Sequence, residues 1–191
     1  KTILIAPGRS LGATPSQIVV AELEDKGLLT NSPVGHVVEI LGTIDEPGME
    51  TEIAVRKFDL PYKFSEETKK EIKRFSDSVT KSDLRDRVDL RDIPFVTIDG
   101  ADAKDFDDAV YCLPVEEGKF RLLVAIADVS HYVKPGCSID KDAQLRTTSV
   151  YFPRRVIPML PEELSNGLCS LNPQVDRCTM VCDAIIGNGY E

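Results

Sequence analysis

Residues 95–110 of the chain read FVTIDGADAKDFDDAV: an apolar segment, a run of aspartates, and the beginning of a second apolar segment. Residues 95–98 and 109–115 have the β-branched, apolar composition of short strands, and so do residues 120–127. The four residues between the last two segments include a glycine, which can adopt the positive φ that a hairpin turn needs. The sequence therefore predicts an acidic loop between strands, followed by an antiparallel hairpin.

The rest of the C-terminal half predicts a mixture of helix and strand. Residues 138–149 predict a helix with Ser138 as its N-cap, because serine accepts hydrogen bonds from the free N–H groups of a first turn. Residues 151–161 contain three prolines and predict extended chain, and residues 162–166 predict one helical turn that a glycine ends. Residues 179–186 predict a final strand.

The N-terminal 61 residues are predicted to be a small β-domain. Four apolar, β-branched runs alternate with clusters of Gly, Pro, Asn and Asp, which mark turns. Four strands are one fewer than an OB-like barrel contains, so we expect an incomplete barrel whose missing strand precedes Lys1. The predicted strands are residues 2–6, 18–23, 37–41 and 52–58.

A charged bridge is predicted to join this domain to the C-terminal half. Ser65 can cap a helix over residues 66–79, whose apolar side chains recur at helical spacing. Residues 80–93 are polar and dense in charge. The predicted division is a β-domain at 1–61, a linker helix and bridge at 62–93, and a mixed α/β domain at 94–191, an α+β protein overall.

The composition argues against several classes of protein. The 191 residues carry a net charge of −9 and contain no run of 18 apolar residues, so neither a basic nucleic-acid coat nor a membrane-spanning helix is expected. The five cysteines include no CxxC pair, which favours a reduced, cytoplasmic setting in which all five thiols are small core residues, at Cys112, Cys137, Cys169, Cys178 and Cys182. The first residue is Lys rather than Met, and we interpret the chain as part of a longer protein.

The acidic run is the candidate site. Five carboxylates and one lysine occupy the ten residues from Asp99 to Asp108. Carboxylates this close repel one another unless cations lie among them, and an all-oxygen set suits Mg²⁺, Mn²⁺ or Ca²⁺. A solvated acidic loop is the alternative. Against it, Phe106, Ala109 and Val110 interleave with the carboxylates and indicate partial burial.

Spacing separates the possible metal motifs. An EF-hand beginning at Asp105 would place Val110 where glycine is required, and a phosphatase-type Asp-x-Asp would require aspartate at Ala101. The remaining pattern is Asp-x5-Asp-x-Asp-Asp. It suits a two-metal phosphodiester hydrolase, in which carboxylates hold two divalent cations. The candidate metal ligands are Asp99, Asp105, Asp107 and Asp108.

Five stretches of the chain carry a resemblance to a known family: DLRD at 89–92, residues 97–109, VAIADVS at 124–130, TSVYFP at 148–153 and residues 157–173. With these stretches, residues 89–191 resemble the N-terminal part of the catalytic RNB domain of the ribonuclease II/ribonuclease R family, and are closer to its ribonuclease R branch. Residues 1–61 then resemble most of the second cold-shock domain, which precedes the catalytic domain in this family.

The resemblance implies a processive, Mg²⁺-dependent 3′→5′ exoribonuclease that releases nucleoside 5′-monophosphates, with Mn²⁺ a possible substitute. It implies that the four aspartates are the metal site, that Asp102 lies outside it, and that Tyr151 stacks on a base. Each such stack is worth about 1–3 kcal/mol. The alternative for Tyr151 is a core tyrosine. Arg154 and Arg155 are candidate phosphate contacts, with plain surface as the alternative.

The implied partner is single-stranded RNA or RNA with a 3′ overhang, with no membrane involved. The family's catalytic domain is much longer than the matching part of this chain, so we expect the chain to be weak or inactive alone. A non-catalytic single-stranded RNA-binding module is the alternative function, although residues 1–61 contain few basic residues for it. Asp128 and His131 suggest acid–base chemistry, but a structural hydrogen bond is the favoured interpretation.

Overall fold

The structure, a computed structural model, describes residues 2–24 and 32–187. Its contacts divide the chain into two compact units. The first comprises Lys1–Tyr62 together with Phe152–Arg155, and the second comprises Lys63–Tyr151 together with Val156–Glu191. Both units contain helices and strands, which confirms the predicted α+β class.

A three-stranded sheet and one helix form the described part of the first unit. The strands are β1 (Leu4–Ile5), β2 (Gln17–Leu23) and β3 (Val34–Thr43), and β3 lies between the other two. β1 pairs with β3 in parallel, whereas β2 pairs with β3 antiparallel with two register shifts, which bend and twist a strand. Three of the four predicted strands are thus confirmed.

The fourth predicted strand, residues 52–58, is wrong because this segment belongs to helix α1 (Met49–Lys57). Gly48 begins the helix with a φ of 90°, a conformation that favours glycine. Acidic side chains lie in the first turn and basic side chains in the last, which suits the helix dipole. Met49 and Val55 are buried. A short apolar run of this kind fits either a strand or a helix.

The chain beyond α1 alternates between helix and strand. In chain order, its elements are α2 (Glu66–Ile72), β4 (Asp108–Glu116), β5 (Lys119–Ala127), α3 (Val129–Tyr132), α4 (Ser138–Arg146), β6 (Val150–Phe152), β7 (Arg155–Ile157), a π-helical turn (Glu163–Leu168) and β8 (Thr179–Gly187). β5 lies between β4 and β8, antiparallel to both, and β6 pairs with β7. The predicted hairpin with its turn at Gly118 (φ 72°) is confirmed, as is the final strand.

Helices α2 and α4 end earlier in the structure than the sequence predicted. Ser65 caps α2 as predicted, but α2 ends at Ile72 instead of residue 79. The next residues include Ser76, whose hydroxyl accepts a bond from the Ser78 N–H, a local contact that competes with helix. α4 ends at Arg146 rather than residue 149, because Thr147 has a φ of 66°. Its N-cap is Cys137 rather than Ser138.

The strand predicted at residues 95–98 is also wrong. This segment contributes one isolated bridge, in which Val96 and Val110 exchange backbone hydrogen bonds of 3.0 and 2.9 Å. Ile98 is 84% exposed, so the apolar composition does not reflect burial in this chain.

Helices α2 and α4 supply carboxylates to each other's first turns. The Ser65 N–H donates to Asp142 Oδ2 in α4 at 2.8 Å. In return, the backbone N–H groups of Ser138 and Ile139 donate to Glu71 Oε2 in α2 at 2.8 and 3.2 Å. Free N–H groups and the positive end of the helix dipole are therefore satisfied at both helices.

The core of the second unit packs α2, α4 and the π-helical turn against the end of β5. Its buried residues are Ile72, Ala127, Tyr132, Ile139, Leu160, Leu164, Leu168 and Cys169. The predicted core position is confirmed for Cys169 and Cys178, which are buried, and it is wrong for Cys112 and Cys182, which are exposed. Cys137 is half-buried. Within the described residues, no helix combines the length and apolar character needed to span a bilayer.

Candidate active site

Asp107 and Asp108 lie where the acidic loop joins the sheet formed by β4, β5 and β8. Asp108 begins β4 and pairs with Ile126 of β5. The backbone carbonyl of Asp107 accepts a 2.9 Å hydrogen bond from the Ala127 N–H. Ala109, the next residue along β4, is buried. The two aspartates therefore have a backbone fixed by the sheet, although their side chains are exposed.

A buried serine holds the loop just before these aspartates. Ser170 is fully buried, and its Oγ accepts a 3.0 Å hydrogen bond from the Phe106 N–H and donates a 2.7 Å bond to the Lys104 carbonyl. The Leu171 N–H donates to the Phe106 carbonyl at 2.8 Å. The backbone on both sides of Asp105 is thus tied to residues 170–171. Nothing in the sequence pattern distinguished Ser170 as important to the site.

Asp99 reaches the site along a different path. It follows the bridge between Val96 and Val110, and it precedes a turn in which the Ala103 N–H donates to the Gly100 carbonyl at 3.0 Å. Asp99 is exposed, as is Asp102 in the turn. Since Asp107 and Asp108 are exposed as well, exposure does not separate Asp102 from the candidate ligands.

The carboxylates are close enough to act on one another electrostatically. Neighbouring protein atoms partly desolvate the exposed Asp107 carboxylate, and this desolvation is the main cause that raises its pKa above the ordinary aspartate value. The negative charges of Asp105, Asp108 and Asp99 raise it further. The loop therefore brings the four predicted ligands into one negative region, which a cation would stabilise.

The chemistry of this donor set fits a hard divalent cation, because every candidate ligand is a carboxylate oxygen. In the part of the chain that the structure describes, no three His, Cys, Asp or Glu side chains are already arranged as a metal-binding group. The aspartates thus share an electrostatic region without converging on one centre.

Tyr151 contacts the acidic loop directly. Its hydroxyl donates a 2.8 Å hydrogen bond to Asp105 Oδ2. This hydrogen bond is the main cause that raises the pKa of Tyr151 above the usual tyrosine value. Tyr151 is 65% exposed, so the alternative of a core tyrosine is wrong, and its ring is accessible to a ligand.

Arg154 and Arg155 have different surroundings. Arg155 forms an ion pair with Glu52 of α1, and Glu52 also pairs with Arg56. Arg56 in turn binds Glu39 of β3 at 2.7 Å. The charge of Arg155 is therefore largely compensated within the first unit, whereas Arg154 is exposed.

The structural interpretation of Asp128 and His131 is confirmed. Asp128 is buried, caps α3 through the His131 N–H, and forms a 2.7 Å ion pair with Arg87. The His131 Nε2 atom lies 2.8 Å from Asp83 Oδ1. These contacts join the bridge segment to the end of β5. No local pattern in the sequence indicated the roles of Asp83 and Arg87.

These features define a two-part α+β protein with a carboxylate-rich candidate active site. A family model described as "RNB domain" matches residues 87–189, and one described as "Cold shock domain" matches residues 1–65. Since the first model covers more than half of the chain, the chain belongs to the RNB-domain family. The resemblance inferred from the sequence motifs is confirmed. Nucleases of this family are generally metal-dependent.

Known relatives and structures agree with this assignment. The chain is 58% identical over 181 residues to Ribonuclease R of Acidithiobacillus ferrooxidans, an alignment covering 94% of this chain and 41% of that protein. It matches RNase R of Mycoplasma genitalium in complex with double-stranded RNA at 32% identity and a TM-score of 0.89, over 98% of this chain and 33% of the other. The same enzyme with ribose-methylated single-stranded RNA gives a TM-score of 0.88 at 32% identity, covering 98% and 29%. The chain thus spans less than half the length of these relatives.

Proposed function

We propose that this chain carries the metal-ligand part of a 3′→5′ exoribonuclease that hydrolyses RNA to nucleoside 5′-monophosphates. The observation that carries the proposal is that an RNB-family chain holds Asp99, Asp105, Asp107 and Asp108 in one loop, whose backbone is tied to Ser170 and to β5. A merely solvated loop would not need a buried clamp, yet Ser170 fixes the backbone on both sides of Asp105.

In this proposal the aspartates hold Mg²⁺, for which Mn²⁺ can substitute. Such cations, when bound, activate a water and stabilise the leaving oxygen of a phosphodiester. The chain's contribution is to fix the ligands. The Asp107 backbone is bonded to β5, and Asp108 is the first residue of β4, so the pair cannot move independently of the sheet. The uncompensated aspartates repel a polyanion until the cations bind.

The proposed substrate is single-stranded RNA or RNA with a 3′ overhang. Support comes from the exposed Tyr151, whose ring offers a stacking surface for any base. Further support comes from the solved structures of Mycoplasma genitalium RNase R, which are complexes with double-stranded RNA and with ribose-methylated single-stranded RNA. Of the two arginines, Arg154 is the better phosphate contact, because Arg155 is already paired with Glu52.

We also propose a cytoplasmic location for the protein and a division of the chain into domains at residues 61 and 93.

The alternative of an RNA-binding module without catalysis is less well supported. Such a module depends on positive charge that neutralises phosphates. In the described part of the first unit, Arg9 is paired with Glu24, and Arg56 with Glu39 and Glu52. Of the other basic residues in this unit, Lys57 is exposed, and Lys1 and Lys26 lie outside the described residues. Two of the three described cations named here are therefore already paired with carboxylates, which leaves little positive charge in the described part of the unit to neutralise phosphates.

An exchange experiment tests the proposal. This chain replaces the aligned 181 residues of Acidithiobacillus ferrooxidans Ribonuclease R, and the hybrid is incubated with uniformly labelled RNA and Mg²⁺. We expect release of nucleoside 5′-monophosphates, its loss in the Asp107→Asn hybrid, and its retention in the Asp102→Asn hybrid. The unmodified relative is the positive control. Mononucleotide release that persists in the Asp107→Asn hybrid would refute the assignment of the metal site.

A further inference from the structure

The hydrogen bond between Tyr151 and Asp105 joins the proposed stacking residue to a proposed metal ligand. The two residues are 46 positions apart, and the Tyr151 hydroxyl donates to Asp105 Oδ2 at 2.8 Å. Because the ring is 65% exposed while its hydroxyl is bonded, one side chain offers a free aromatic face and a fixed polar end. A residue needed only for stacking would not require this second contact, since stacking uses only the π-face.

Buried contacts fix the chain around Tyr151. Tyr151 lies in β6, which is preceded by Ser149 and pairs with β7. The Met159 N–H donates to Ser149 Oγ at 2.9 Å, and Arg146 donates to the Pro158 carbonyl at 2.9 Å. Arg146 is only 6% exposed. The segments on either side of the β6–β7 hairpin are therefore tied together by side chains of the second unit.

Asp105 is held with similar firmness. Ser170 bonds to the backbone on either side of it, so the position of its Cα is set by a fully buried side chain. The remaining freedom of Asp105 is rotation of its carboxylate. The Tyr151 hydroxyl restricts that rotation by engaging Oδ2, and no described residue donates a hydrogen bond to Oδ1 in this structure.

We propose that Tyr151 is a positioning residue for the metal site, whose hydroxyl orients the Asp105 carboxylate so that Oδ1 faces the cation. This inference rests on the proposed function, because it takes Asp105 to be a ligand. Partners that orient a metal ligand typically change metal affinity about 10- to 100-fold when removed. The same residue would then serve both cation binding and RNA binding, and its two ends can be separated by mutation.

Two substitutions separate the role of the Tyr151 hydroxyl from that of its aromatic ring. Tyr151→Phe keeps the ring and removes the hydroxyl, so it should weaken cation binding while RNA binding is retained. Tyr151→Ala removes both and should weaken both. Tyr111→Phe is the matched control, because Tyr111 lies in β4 and its ring contacts Phe95 instead of the acidic loop.

The test is a Mn²⁺ titration of this chain followed by electron paramagnetic resonance, on the unmodified protein, Tyr151→Phe, Tyr111→Phe and Asp107→Asn. We expect Tyr151→Phe to raise the Mn²⁺ dissociation constant about 10-fold, Tyr111→Phe to leave it unchanged, and Asp107→Asn to abolish binding. If Tyr151→Phe binds Mn²⁺ as tightly as the unmodified chain while Asp107→Asn does not bind, the inference is overturned and the proposed function stands. If the unmodified chain does not bind Mn²⁺, or if Asp107→Asn binds it equally well, the assignment of the metal site is wrong, and the inference about Tyr151 is overturned with it.

A second measurement needs no metal. The ¹³C chemical shift of the Asp105 carboxylate, recorded by NMR on the metal-free chain, should move in Tyr151→Phe and stay constant in Tyr111→Phe. An unchanged shift in Tyr151→Phe would mean that the hydroxyl does not engage Asp105 in solution, and would overturn the inference whatever the titration gives.

Discussion

A single buried hydroxyl, that of Ser170, satisfies two backbone groups of the acidic loop. The Lys104 carbonyl and the Phe106 N–H lie on either side of Asp105, and Ser170 itself is fully buried. Leaving buried polar groups unpaired costs more than the net gain of the bonds themselves. The placement of Asp105 therefore depends on a residue that has no chemistry of its own.

Ser170→Ala should reduce the free energy of unfolding by about 1–3 kcal/mol, because two part-buried hydrogen bonds to the loop backbone are lost. It should also weaken Mn²⁺ binding, since the loop loses its anchor. Urea denaturation and a Mn²⁺ titration measure the two effects. The matched control is Ser78→Ala at an exposed position, where neither quantity should change. Equal behaviour of the two variants would show that the clamp is unimportant.

Asp83 makes the stability of the second unit dependent on pH. Hydrogen bonding to His131, followed by bonds from the Thr80 N–H and hydroxyl, lowers the pKa of Asp83 from 3.8 to about 2. A carboxylate with a lowered pKa stabilises the fold above its ordinary pKa and loses that contribution as pH falls toward the lowered value. The contribution of Asp83 is thus present at pH 5 and disappears between about pH 4 and pH 2.

Asp83→Asn should therefore be less stable than the unmodified chain at pH 5, by about 1–2 kcal/mol for the lost charged hydrogen bonds. The difference should shrink as the pH is lowered from 4 toward 2. Urea unfolding at several pH values measures it, with Asp77→Asn at an exposed site as the control. A stability difference that is constant across this range would contradict the assignment.

At the scale of secondary structure, helices α2 and α4 depend on each other for their N-terminal caps. Ser65 was predictable as a cap because serine before a charged first turn is a common local signal. The capping contributions of Glu71 and Asp142 were not predictable from the sequence, because each side chain accepts hydrogen bonds from a helix about 70 residues away along the chain. The same tertiary capping explains why Cys137 can occupy the N-cap of α4, a position where a cysteine is not favoured.

Glu71→Ala should destabilise the second unit by about 1–2 kcal/mol, because two N–H groups of α4 lose their acceptor. Glu67→Ala, an exposed substitution in the same helix, is the control and should have little effect. Thermal unfolding followed by circular dichroism measures both variants. The reciprocal cap would be disproved if the two substitutions lowered the melting temperature equally.

At the scale of the whole molecule, local signals predicted the hairpin of β4 and β5, the final strand and the position of the acidic loop. These strands are largely apolar runs, and Gly118 marks the turn between β4 and β5, so local composition was sufficient to predict them. A short apolar run such as residues 52–58 fits both the two-residue period of a strand and the 3.6-residue period of a helix. In the structure this segment belongs to helix α1, which buries Met49 and Val55. The apolar residues 95–98 form only a bridge, since a lone strand-like composition does not supply a pairing partner.

The four aspartates were identified by spacing and resemblance, and the structure adds what holds them. Ser170 and the Ala127 N–H lie 20 or more residues from the aspartates that they fix. No local pattern reports contacts over such separations. The same is true of the bond between Tyr151 and Asp105.

The central claim is that four particular aspartates bind divalent cations, which isothermal titration calorimetry with Mn²⁺ tests directly on the unmodified chain, Asp99→Asn, Asp108→Asn and Asp102→Asn. All three variants lose one negative charge from the same ten-residue loop, so they differ in ligand identity and not in charge. We expect Asp99→Asn and Asp108→Asn to lose Mn²⁺ binding and Asp102→Asn to retain it. Equal weakening by all three substitutions would reveal a diffuse acidic loop, and would contradict the claim.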